Sequence, residues 1–112
     1  VIRVRNKKRF KGPGIYVGRP SPLGNPWRMD SNDPDSRAKV IEKYREWFLE
    51  RMRERSSPQR RAVERIVALA KRQDIDLVCW CAPLPCHADV IKEYIESILA
   101  RRRSGGRRER QK

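Results

Sequence analysis

Leu77-Val78-Cys79-Trp80-Cys81 is an unbroken apolar run of strand length. Ala82-Pro83-Leu84-Pro85 follows and cannot extend a β-ladder, because proline has no amide hydrogen to donate. A run that is apolar throughout, with no polar alternation, predicts a central strand covered on both faces. Cys86-His87 then opens a segment in which Val90, Ile91, Tyr94, Ile95, Ile98 and Leu99 recur at helical spacing. A buried strand, a sharp break and an amphipathic helix, in that order, predict an α/β fold.

Moving back along the chain, Ala62, Val63, Ile66, Val67 and Ala70 mark the inner face of a second helix, set off by the break and cap Ser56-Ser57-Pro58. Before it, Val40, Ile41, Tyr44, Trp47, Phe48 and Met52 form the apolar stripe of another helix. That helix is expected to begin at Asp33-Pro34, with Asp as N-cap and Pro in the first turn. Val1 to Arg5 alternates apolar and basic residues, as a half-exposed strand does, and Gly12-Pro13-Gly14 signals a turn. Ile15-Tyr16-Val17, closed by Gly18, is a second short strand.

The order is β-β-α-α-β-α, a single α/β domain over residues 1–100 with two or three layers and a short, partly parallel sheet. The second strand reaches the third through helices, which makes that pair parallel. The loops after Val17 and after Cys81 would then leave the same carboxyl edge, where open α/β sheets bind ligands.

Charge is distributed unevenly. The chain has 112 residues, enough for one domain, and a formal net charge of +14. Residues 1–28 contain eight basic residues and no acid, residues 101–112 contain seven against Glu109 alone, and the stretch between is balanced. The ends read as grips on a polyanion and the middle as an ordinary folded body. Residues 101–112 hold Arg, Ser and Gly without one apolar side chain, and are expected to form a basic tail that is disordered when free. No apolar run approaches the roughly 20 residues of a membrane-spanning helix. Three cysteines within eight positions, an odd number, do not form a disulfide framework and point to a reducing, cytoplasmic setting.

Two segments carry candidate chemistry. In the loop after the second strand, Gly18 and Gly24 would let the backbone approach a phosphate, Arg19 and Arg28 could grip its oxygens, Asn25 adds a polar group and Trp27 could stack on a base. The plainer alternative is a proline-braced loop whose Trp fills the core. In the other segment, Cys79, Cys81, Cys86 and His87 are soft ligands close enough in sequence to hold zinc, although adjacent Cys-His ligands strain a tetrahedral site. Alternatively Cys86, at a helix start beside His87, is a nucleophile candidate, with Asp89 completing a catalytic set of Cys86, His87 and Asp89. In the third alternative the cysteines are small core residues and His87 is a cap.

Ile15 to Trp27 (IYVGRPSPLGNPW) and Cys79 to Val90 (CWCAPLPCHADV), joined by a helix containing Val40 to Phe48 (VIEKYREWF), resemble the domain-of-unknown-function family numbered 4326, found in prokaryotes and their viruses. The resemblance covers most of Val1 to Leu99 and leaves the basic tail outside. It marks Gly18, Arg19, Gly24, Asn25, Pro26, Cys81, Cys86, His87 and Asp89 as motif positions and implies no particular reaction. Pro20 departs from the small residue, such as Gly, expected there.

The leading functional expectation is a nucleic-acid-binding protein, RNA before DNA, with a ribosome-like or other ribonucleoprotein particle and its proteins as the setting, and no membrane partner. Its grip would come from Arg3, Arg5, Lys7, Lys8, Arg9, Lys11, Arg19 and Arg28 at one end. At the other end it would come from Arg101, Arg102, Arg103, Arg107, Arg108, Arg110 and Lys112, an Arg/Gly composition suited to phosphate forks. No motif for base-specific readout is present. The second reading is an enzyme acting on a nucleotide or nucleic acid through a Cys/His/Arg cleft, and the third is a zinc-stabilised adaptor.

Overall fold

In a computed structural model the chain forms β1 (Ile2–Asn6), β2 (Ile15–Tyr16), α1 (Pro34–Arg53), α2 (Pro58–Ala70), β3 (Ile75–Cys79) and α3 (His87–Gln111). Residues 1–27, 33–81 and 84–101 are described in full, and 102–111 as helical backbone. The strand order is β1-β3-β2 and both pairings are parallel, so the sheet is wholly rather than partly parallel. Ile2 lies opposite Ile75, Val4 opposite Leu77 and Ile15 opposite Leu77 on its other side.

Alternation along the strands separates the two faces. Ile2, Val4, Ile15, Val17, Ile75, Leu77 and Cys79 face a core shared with Tyr44, Phe48 and Met52 of α1, Val63, Ile66 and Val67 of α2, and Ala88, Val90, Ile91 and Ile95 of α3. Arg3, Arg5, Tyr16, Asp76 and Val78 occupy the alternate positions. The helices therefore cover one face, and the domain has two layers. The β1–β2 loop lies over part of the outer face, at Val78 and Asp76. Gly14 passes so close to β3 that a Cβ there would lie 2.6 Å from Val78 Cγ2 and 3.2 Å from the Asp76 carbonyl oxygen.

β3 is central, as its composition implies, but begins at Ile75 and ends at Cys79. Asp76 enters the strand because Arg5 on β1 pairs with it at 3.0 Å. Trp80 and Cys81 fall beyond the strand, since the partner strands end opposite Cys79 and Val78 and leave little to pair with.

The helix caps follow the sequence signals. Asp33 Oδ2 accepts from the Ser36 amide at 3.3 Å, and Ser57 Oγ from the Arg60 amide at 3.0 Å. α3 does not stop near residue 100, where its composition changes, and the backbone stays helical to Gln111. Arginine is a good helix former and no proline interrupts this stretch, while Gly105 and Gly106 each disfavour the helix by about 1 kcal/mol relative to alanine. Among the residues described in full, Leu99 is the last whose side chain packs on the core. Among the described residues no helix is long and apolar enough to cross a membrane.

Candidate functional site

The parallel sheet sends the loops after β2 and β3 to one edge, where they meet. His87, at the start of α3, donates from Nε2 to the Val17 carbonyl at 2.7 Å. Because that carbonyl can only accept, the proton sits on Nε2 and Nδ1 is left as an acceptor. Tyr44 sits beneath, its ring edge-on to His87 at 5.1 Å between centroids and its hydroxyl donating to the Leu23 carbonyl at 2.7 Å. These bonds tie the loop after β2 to α1 and α3. The loop also folds on itself, with Ser21 N to Gly18 O at 2.8 Å and Gly24 N to Ser21 O at 2.9 Å. A Cβ on Gly24 would come within 2.8 Å of the Arg19 backbone nitrogen, so this position requires glycine.

The result is a cleft of about 300 Å³ lined by Gly18, Arg19, Asn25, Trp27, Arg37, Trp80, Cys81 and His87. The expected ligand loop contributes Gly18, Arg19, Asn25 and Trp27, while Gly24 supports the loop from beneath. Asn25 Oδ1 is engaged by the Trp27 amide at 2.9 Å, and Trp27 packs edge-on against Trp47 at 6.2 Å, so both brace the loop as well as line the cleft.

The catalytic set expected from sequence is rearranged. Cys86 is fully buried, with Sγ 3.2 Å from Cys79 Sγ. Hydrogen bonding to Cys79 and Cys81, followed by burial, raises its pKa strongly, so it stays a thiol. Asp89 Oδ2 accepts from the Cys86 amide at 2.9 Å in a capping-box arrangement. It lines a different groove, between α1 and α3. The thiol that faces the cleft is Cys81. A hydrogen bond from Cys86 and the hydrogen bond and charge of Arg37 outweigh partial burial and Asp89, lowering its pKa from 9.0 to about 6. Burial, joined by the Arg19 charge, pushes the His87 pKa below its ordinary 6.5, against the pull of the Val17 carbonyl and Asp89.

Of the four residues considered for zinc, Cys79 and Cys86 have sulfurs 3.2 Å apart and His87 turns Nε2 to Val17; among the described residues no three His, Cys, Asp or Glu side chains are grouped as a metal site.

The sequence reading missed two cleft residues, Trp80 and, on α1, Arg37. Arg37 is only 8% exposed and donates to the Pro85 carbonyl at 3.0 Å. Its signal was register: Arg37 stands on the same stripe as Ile41, Tyr44, Phe48 and Met52, an unusual place for an arginine.

On the outer face next to the cleft, Trp80 is 51% exposed and its indole Nε1 donates to the Tyr16 hydroxyl at 3.0 Å. That hydroxyl in turn donates to the Arg19 carbonyl at 2.7 Å. Lys7 Nζ stands 4.7 Å from the Tyr16 ring centroid and 5.9 Å from that of Trp80. Asn6 shapes the basic loop, its carbonyl accepting from Phe10 N at 2.8 Å and its Oδ1 from Lys8 N at 2.9 Å.

Of the basic end residues, Arg3 pairs with Asp74 and Arg5 with Asp76. No ion pair among the described residues involves Lys7, Lys8, Arg9 or Lys11. Arg19 is exposed at the cleft and Arg101 on α3. Arg28 and Lys112 lie outside the described residues, and Arg102, Arg103, Arg107, Arg108 and Arg110 are described only as helical backbone.

The fold and the site define a small two-layer α/β domain with a Cys/His/Arg cleft at the carboxyl edge of its sheet. The chain belongs to the family described as Domain of unknown function (DUF4326), which it matches over residues 2–97. No curated protein and no solved structure matches it.

Proposed function

We propose that the chain binds nucleic acid, single strands in particular and RNA before DNA, across the helix-free face of its sheet and along its basic ends. The observation that carries this reading is the Trp80–Tyr16 pair: an exposed ring held by a hydrogen bond and set beneath Lys7, at the start of a loop that also exposes Lys8, Arg9 and Lys11. Aromatic platforms beside a cationic track are how proteins hold single strands without reading sequence. The Arg/Gly-rich end adds phosphate contacts and inclines the reading to RNA, with a ribonucleoprotein or ribosome-like particle in the reducing cytoplasm as the setting.

Binding of a labelled single-stranded RNA, titrated at several salt concentrations, tests it. Each lost phosphate contact lowers the log–log salt slope by about 0.7 for single strands. The slope should fall when Lys7 and Lys11 are changed to alanine, and again when residues 101–112 are removed. A slope unchanged by both would refute the assignment.

The cleft supports a second reading, an enzyme acting on a nucleotide, because Arg19, Arg37, Cys81 and His87 share it. A fluorescent mononucleotide should then bind the wild type and be lost in Arg19→Ala. Absence of binding to the wild type, or equal binding to both proteins, would refute it.

A further inference from the structure

The nucleic-acid reading makes no use of the three sulfurs at the end of β3, and nothing in that reading explains why they are gathered. The Cys79 and Cys86 sulfurs are 3.2 Å apart, and Cys86 interacts electrostatically with Cys81. Access differs among them: Cys79 and Cys86 are fully buried, whereas Cys81 is half-buried and lines the open cleft. Arg37, itself buried and donating to the Pro85 carbonyl, lines the same cleft as Cys81, and its charge favours the Cys81 thiolate. One thiol is therefore reachable beside a buried cation, and the other members of the sulfur cluster are shielded. Accessible, cation-supported cysteines beside a second thiol are the ones that oxidise selectively.

We propose that Cys81 and Cys86 are a peroxide-oxidisable pair, with Cys81 the reacting thiolate and Cys86 the resolving thiol. The Cys81 sulfur attacks one oxygen of a hydroperoxide. An S–O bond forms, the O–O bond breaks, and the remaining oxygen leaves as hydroxide or alkoxide. Cys81 is then a sulfenic acid. The Cys86 sulfur attacks it, the S–S bond forms, the S–OH bond breaks, and the departing hydroxide takes the Cys86 proton as water. Two thiols lose two electrons and one peroxide is reduced. Cys86 needs no solvent exposure for this, because its reaction partner is the adjacent Cys81 sulfur. Cys79 is fully buried and does not line the cleft.

The test uses the full chain and one equivalent of hydrogen peroxide, followed by trypsin digestion and tandem mass spectrometry. All three cysteines lie on one peptide, Gln73 to Lys92, which has no internal Lys or Arg. That peptide should lose two hydrogens in the wild type and in Cys79→Ser, and should be unchanged in Cys81→Ser. With dimedone present during oxidation, the wild type should carry the adduct on Cys81, a readout that depends on no variant folding. A peptide that stays reduced, a first adduct on Cys79 or Cys86, or a disulfide that persists in Cys81→Ser would each overturn the proposal.

Discussion

At the residue scale, two titratable groups in the cleft carry opposite signs of the same physics. Cys81 is held as a thiolate by Cys86 and Arg37, with Asp89 opposing, and its pKa lies at about 6. Its alkylation rate should fall only about twofold between pH 8 and pH 6, whereas an ordinary thiol loses about a hundredfold over that range. Arg37→Met should move the midpoint upward, and a profile centred near 8.5–9 in the wild type would contradict the geometry. His87 is held neutral by burial, its pKa depressed below the ordinary 6.5. The unfolded chain therefore takes up this proton more readily than the folded one. The stability that His87 contributes is complete above pH 6.5 and declines as the pH falls below it. The drop in melting temperature from pH 7.5 to 5.5 should be smaller in His87→Gln, whose amide can still donate to Val17. An equal drop in the two proteins would show that the imidazole is not a titrating part of the folded state.

At the element scale, the loop after β2 depends on one buried hydrogen bond from α1. Tyr44 is fully buried and its hydroxyl serves the Leu23 carbonyl. Tyr44→Phe leaves that carbonyl unsatisfied and should cost about 1–3 kcal/mol in chemical denaturation; no measurable cost would mean that the loop is held elsewhere. Much of this architecture was legible in the sequence, because strands and helices leave periodic traces and the caps Asp33 and Ser57 carry their own chemistry. The parallel crossover alone was enough to bring the loops after β2 and β3 to one edge. Side-chain direction beyond a strand end has no periodicity to read. Cys79 and Cys81 therefore looked like equivalent positions on one strand, although only Cys81 reaches the cleft. Asp89 looked catalytic because a capping carboxylate and a catalytic one are the same residue in sequence. Arg3 and Arg5 looked free because Asp74 and Asp76, which pair with them, lie about seventy residues away and meet them only through the β1–β3 register.

At the scale of the whole molecule, the basic excess is divided between residues 1–28, which include β1 and β2 of the folded body, and residues 101–112 beyond the family match. Residues 101–112 contain no apolar side chain and the family match ends at residue 97, so their removal is expected to take away no core. Melts of the full-length and shortened chains should coincide at equal salt, and a large loss of melting temperature would mean that the end of α3 supports the body. The central claim is that the helix-free face, and not charge alone, is the docking surface for single strands. Affinity of the wild type and Trp80→Ala for one single-stranded RNA, at matched salt, tests it most directly. Stacking on an aromatic side chain is worth about 1–3 kcal/mol per base, so Trp80→Ala should bind about 5- to 150-fold more weakly with its salt slope unchanged. Equal affinity of the two proteins would contradict the claim, and binding would then reside in the charged ends alone.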